Sequence, residues 1–139
     1  VAERVIFSDL ELFLTGFIRR ELVARGKTGF VSNEFSPADN PAPAFQVIVR
    51  DDSGPRTGVV TKSPTVGVTV LGSDSYNKAA TTDLALLVCA IVEGCARVEA
   101  NNPVAAVLDS NGPYKVPDES GQPRRYMTFE LSVTGTPFT

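Results

Sequence analysis

Early in the chain, Leu10, Phe13, Leu14, Phe17, Ile18 and Leu22 recur at intervals of three and four and so share one side of a helix. Ser8 and Glu11 stand in capping-box spacing, and Gly26 offers a stop. The pattern predicts a helix from about Asp9 to Arg25. Arg19, Arg20, Arg25 and Lys27 gather near its end, where the helix dipole favours cations, so the cluster is read as dipole complementation rather than as an anion site.

The pattern then changes period. Gly29 to Phe35 is a short strand candidate that runs into a loop from Ser36 to Pro43, where three prolines forbid a helix interior or a central strand. Phe45 to Arg50 reads as a buried strand closed by the turn Asp51-Asp52-Ser53-Gly54-Pro55. Thr57 to Lys62 is expected to pair back as the second arm of a hairpin, with Arg56 near its tip. After Ser63-Pro64, Val66, Val68 and Val70 alternate with Gly67, Thr69 and Leu71, the period-two mark of a strand with one strongly apolar face.

Gly72-Ser73-Asp74-Ser75 offers caps for a second helix, expected from about Tyr76 to Arg97, with Ala80, Leu84, Leu87, Val88, Ile91 and Cys95 on one face. Leu86 and Ala90 widen its apolar sector beyond the need of a one-sided surface helix. Either this helix is deeply buried or its outer edge meets another subunit. Asn101-Asn102-Pro103 closes it, Val104 to Leu108 forms a short strand, and Asp109 to Pro123 reads as a long polar connection without regular structure, the kind that binds a partner. Met127, Phe129, Leu131 and Val133 then alternate with polar residues in a last strand. The expected fold is α+β: one domain over 1–139, with an antiparallel or mixed sheet of about four to five strands and two main helices packed on one face.

Composition narrows the chemistry. Among 139 residues there is no histidine, which removes the commonest general base, metal ligand and pH switch. A net charge of −3 is the wrong sign for holding nucleic acid through its phosphates. Cys89 and Cys95, six positions apart on the expected helix, point about 240° apart and lie about 9 Å apart along the axis, beyond disulfide reach. They are read as small buried apolar residues in a reducing cytosol, with no metal and no cofactor. The longest apolar run, Leu84 to Val92, is too short to cross a bilayer, so a soluble protein with no membrane partner is expected. The opening Val1 is expected to follow a removed initiator Met.

Of the catalytic options, a carboxylate pair survives the lack of histidine. Asp51 with Asp52 and Asp118 with Glu119 are adjacent pairs, but both lie in turn-forming stretches where acids serve as solvated caps. Gly54 to Gly58 has neither the following helix nor the Gly-Lys-Ser/Thr of a phosphate loop. Lys62 and Lys78 have no neighbour that predicts a lowered pKa, and Cys89 among Leu87, Val88 and Ile91 lacks an activating base. No catalytic residue is assigned, and the expectation is a protein that is not an enzyme.

Taken together, the opening amphipathic helix, Phe45-Gln46-Val47-Ile48-Val49-Arg50-Asp51-Asp52, Pro64-Thr65-Val66-Gly67-Val68-Thr69-Val70-Leu71-Gly72 leading to the Ala-rich helix Ala79 to Cys95, Gly112-Pro113, and Pro123-Arg124-Arg125-Tyr126-Met127-Thr128-Phe129-Glu130-Leu131 form an order of segments. Across nearly the whole chain, that order resembles the tail terminator proteins of long-tailed bacteriophages, especially those infecting actinobacteria. The resemblance implies a structural virion protein: a homo-oligomeric ring, typically a hexamer, that docks on the last ring of tail tube protein. There it ends polymerisation and joins the tail to head-connector and neck proteins. DNA would only pass through a lumen whose acidic sign keeps it from sticking. The implied location is the tail or neck of the virion, reached from the host cytoplasm during assembly.

The resemblance transfers no interface residues one by one, so these come from the residues themselves. Asp51, Asp52 and Arg56 at the hairpin tip, Leu86 and Ala90 on the second helix, and Arg124 and Arg125 beside the long polar stretch are the candidate contacts. Arginine is enriched in interfaces. Solvated arginines balancing nearby acids are the alternative. A head-closure component, or a carboxylate-based enzyme or small binding module, stands as the other reading of the chain.

Overall fold

The computed structural model describes residues 4–35, 45–72, 78–117 and 123–138. After a two-residue strand β1 (Val5–Ile6), α1 (Leu10–Val23) starts where Asp9, not Ser8, accepts a hydrogen bond from the Leu12 N–H at 3.0 Å. Glu11 does not reach back as the second half of a capping box. Its carboxylate instead accepts from the Asp51 N–H at 2.8 Å and from Asn33 at 3.1 Å, tying the start of α1 to the sheet. At the other end Gly26 adopts a positive φ of 73°, and the Lys27 N–H reaches back to the Leu22 carbonyl at 2.9 Å. A side chain would strain that left-handed turn.

The remaining elements are β2 (Phe30–Ser32), β3 (Phe45–Asp51), β4 (Thr61–Lys62), β5 (Thr65–Gly72), α2 (Lys78–Glu93), β6 (Val104–Lys115), β7 (Arg124–Thr134) and β8 (Thr136–Pro137). The sheet runs β2-β3-β5-β7, with β6 on the far side of β7 and β4 continuing the line of β5. β2 lies parallel to β3, and every other pairing is antiparallel. The chain is thus an α+β protein with a mixed sheet. A separate two-stranded ribbon pairs β1 with β8.

Alternation decides the faces. Val47 and Val49 of β3, Val66, Val68 and Val70 of β5, and Met127, Phe129 and Leu131 of β7 are fully or almost fully buried. They form one cluster with Leu14, Ile18 and Leu22 of α1 and Leu84, Val88 and Val92 of α2. α1 lies over β2 and β3, and α2 over β5, β6 and β7. Gln46, Ile48, Arg50, Thr69, Leu71, Arg124, Tyr126 and Thr128 are the alternating partners and occupy the opposite face.

Three sequence expectations need correction. The stretch from Asp109 is not a loop, because up to Lys115 it belongs to the twelve-residue strand β6. Among the described residues it pairs with β7 alone, and it is mostly solvent-exposed, so it shows no apolar alternation. Its pairing with β7 is irregular at three places. Thr57 to Lys62 does not return along β3. β3 pairs with β5, the Val-rich strand able to bury its inner face, while Thr61 and Lys62 pair with Thr134 and Val133 of β7. β4 and β5 are one strand line in common register along β7, interrupted where Pro64 has no N–H to give, and the Leu131 N–H donates to the Pro64 carbonyl at 2.9 Å. Finally, α2 ends at Glu93: the Gly94 N–H makes the last helical bond, to the Ala90 carbonyl, and the Cys95 N–H turns to Val92, three residues back. Cys95 therefore lies beyond the helix that carries Cys89. The expected helix start at Tyr76, the caps from Ser73 to Ser75, the proline loop and the Asp118–Glu119 pair fall outside the described residues. No helix among the described residues is long and apolar enough to cross a membrane.

Candidate docking surfaces

The two aspartates of the β3 turn are engaged in building it. Asp51 accepts from the Ser53 N–H at 2.7 Å, an Asx turn that supports the positive φ of Ser53. Asp52 takes a bidentate hydrogen bond from Arg50, at 2.6 and 3.1 Å. Arg50 also donates to the Tyr126 hydroxyl at 3.1 Å, across 76 positions of sequence. The hydrogen bond to Asp52, with the neighbouring Tyr126 hydroxyl, raises the Arg50 pKa above its ordinary value. Gly67 lies beneath Tyr126, and a β-carbon there would stand 2.3 Å from the hydroxyl. Tyr114 of β6 stacks obliquely beside Tyr126, ring centroids 6.3 Å apart.

Arg56 turns onto its own loop. Its guanidinium donates to the Gly58 carbonyl at 3.2 Å and to the Val59 carbonyl, and Arg56 bridges Lys62 across a small hairpin. The Lys62 ammonium lies 5.7 Å from the centre of the Phe7 ring.

Arg124 and Arg125, expected as contacts beside the long polar stretch, both belong to β7 and point to opposite faces. Arg124 pairs across from Leu71 on the outer face, with its guanidinium 5.6 Å from the centre of the Phe35 ring. Arg125 pairs across from Val70 on the helix side and donates to Thr82 of α2 at 3.0 Å. A paired substitution therefore disturbs two unrelated places. Starting the alternation of the last strand at Arg124 instead of Met127 separates the two arginines from sequence alone.

Leu86 and Ala90 are both exposed on α2, and Leu86 keeps 54% of its surface. Beside them is a groove that the sequence did not foreshadow, about 210 Å³ in volume and lined by Leu87, Ala90, Ile91 and Gly94 of the α2 region and by Glu21, Arg25 and Arg97. Arg25 and Arg97 both pair with Glu21, at 3.6 and 3.5 Å, and Arg97 stacks over Phe17 at 4.9 Å. Only the packing of α1 against α2 brings Glu21 to Arg97. Arg97 lies past the end of α2, so no helical periodicity encodes that pair.

Both cysteines are free and buried. Among the described residues, no group of three or more His, Cys, Asp or Glu is placed to hold a metal ion. The Cys89 sulfur is 3.8 Å from Ser110, and burial raises its pKa. Burial pushes the Cys95 thiol from its ordinary 9.0 up to about 11. An acid whose folded pKa is raised holds its proton while the unfolded chain releases it, so stability falls as pH rises from about 9, and this loss levels off above about 11. Denaturant midpoints measured across that range are expected to fall less steeply in Cys95→Ala than in the parent. Identical slopes would contradict the assignment.

Compared with protein-family models and with curated proteins, the chain matches none.

Proposed function

We propose that this chain is a subunit of an oligomeric ring that caps a phage tail tube, ends its growth and forms the joint to the head connector. The observation that carries the reading is that the sheet ends in two unlike strands. β2 is short and lies parallel to its neighbour, β6 is long and antiparallel, and each pairs on one side only among the described residues. Two unlike lateral surfaces allow copies to join head to tail, and such a contact makes a ring where its rotation closes. The resemblance in segment order supports the same reading. The net charge of −3 per chain suits a conduit that lets DNA pass.

Light scattering of the purified chain, alone and with tail tube protein, tests the proposal. The expected result is a ring-sized assembly on tube ends and tubes that cease to lengthen. A chain that remains monomeric and leaves tube growth unchanged overturns it. So does one that binds the head connector and ignores the tube.

A further inference from the structure

We infer that Leu86 of one copy seats in the α1–α2 groove of the next, making the contact that joins copies within the assembly; the inference rests on the ring reading and supplies its interface. The groove floor is formed by Leu87, Ala90, Ile91 and Gly94. That spacing is the four-residue hole into which a knob from a neighbouring helix packs. Small Ala90 and Gly94 leave the hole open.

Leu86 is the matching knob. It is more than half exposed on a helix that buries Leu84, Val88 and Val92, and it has no place in the core. The two features are distinct patches, since at 100° per residue the hole faces about a quarter turn around α2 from Leu86. A subunit therefore cannot fill its own groove. Copies joined knob to hole leave one knob and one hole free at the ends, so the contact continues until a ring closes.

Charge completes the match. Asp83 and Glu93, both exposed, flank Leu86 one turn before it and two turns after it. Arg25 and Arg97 rim the groove and share one carboxylate, Glu21, so the rim carries excess positive charge. Their side chains are about half exposed, at 48% and 49%. Seating Leu86 brings the two acids of one copy toward the two guanidiniums of the next, whereas a knob-to-knob or groove-to-groove approach sets like charges together.

Two variants of the full chain separate the halves: Leu86→Glu removes the knob and Arg97→Glu spoils the hole. Each is expected to keep the parent's circular dichroism spectrum and to weaken self-association by about tenfold or more, as for a leucine withdrawn from burial. Mixed one to one, they still offer one intact knob and one intact hole, so dimers form and nothing larger does. A parent chain that stays monomeric at high concentration overturns the contact. So do a Leu86→Glu chain with the parent's mass and a mixture that stays monomeric. A tube-length assay keeps the two proposals apart. Self-association lost in Leu86→Glu while even the parent leaves tube length unchanged retains the contact and rejects the capping reading. Tubes terminated equally by parent and Leu86→Glu do the reverse.

Discussion

Phe129→Ala is expected to cost the fold about 3–5 kcal/mol, the range for truncating a buried aromatic residue. Phe129 heads the fully buried side chains by volume, at 1% exposure, and lies on β7, which carries β5 on one side and β6 on the other. Its cross-strand partner Val66 is fully buried, and the helix-side face around it is closed by α2. Neighbours on β5, β6 and α2 cannot all collapse into the space a phenyl ring leaves, so the cavity term adds to the lost transfer energy. Urea titration followed by circular dichroism measures the effect: the midpoint falls sharply while the slope with denaturant stays that of the parent. A loss below about 1 kcal/mol contradicts the placement of Phe129 at the centre of the core.

Gly54→Ala is expected to cost about 2–3 kcal/mol, at the upper end of overpacking effects, through contact with backbone rather than with side chains. A β-carbon at Gly54 would stand 1.9 Å from the Ser63 carbonyl oxygen and 2.9 Å from the Pro64 α-carbon. The two arms of the β3–β5 connection are stitched together on both sides of that point. The Ser63 N–H donates to the Pro55 carbonyl at 2.9 Å and the Thr65 N–H to the Ser53 carbonyl at 3.0 Å. Relief requires Ser63 and Pro64 to move, and that motion pulls on the Leu131 bond to Pro64 and on the common register of β4 and β5. Gly58→Ala is the control, since its β-carbon would crowd only the Thr61 side chain, whose hydroxyl can move at the cost of one exposed hydrogen bond from Thr57. Thermal melts should separate the two variants widely. Equal melting temperatures would show that the crossing yields at no cost.

The outer face of the sheet shows how far local pattern carries. Its residues are readable once strands are assigned, because Arg50, Thr69, Tyr126 and Thr128 alternate with the core positions. The Arg50–Tyr126 bond is not readable, because it depends on which strands lie beside β5. The same holds for the candidate contacts. Leu86 and Ala90 stand out as excess apolar surface on a helix, while the groove beside them needs Glu21 and Arg25 from another element. Arg56 and Asp52 looked like free charges at a loop tip because their partners, loop carbonyls and a neighbouring guanidinium, depend on the turn's path.

By itself, the sequence determined the two helices, the Val-rich strands and the α+β class. Each of those segments must hide one apolar side, and the period of the hidden positions, near 3.6 or 2, is a local property. Only the tertiary structure decided that Asp109 to Lys115 extends a strand, that Thr61 and Lys62 pair with β7, and where groove and knob lie. Those features arise from backbone pairing and from side chains meeting across elements, and their energy resides in the partner as much as in the residue. A polar edge strand such as β6 is held by its ladder to β7, so its own side chains have no pattern to show.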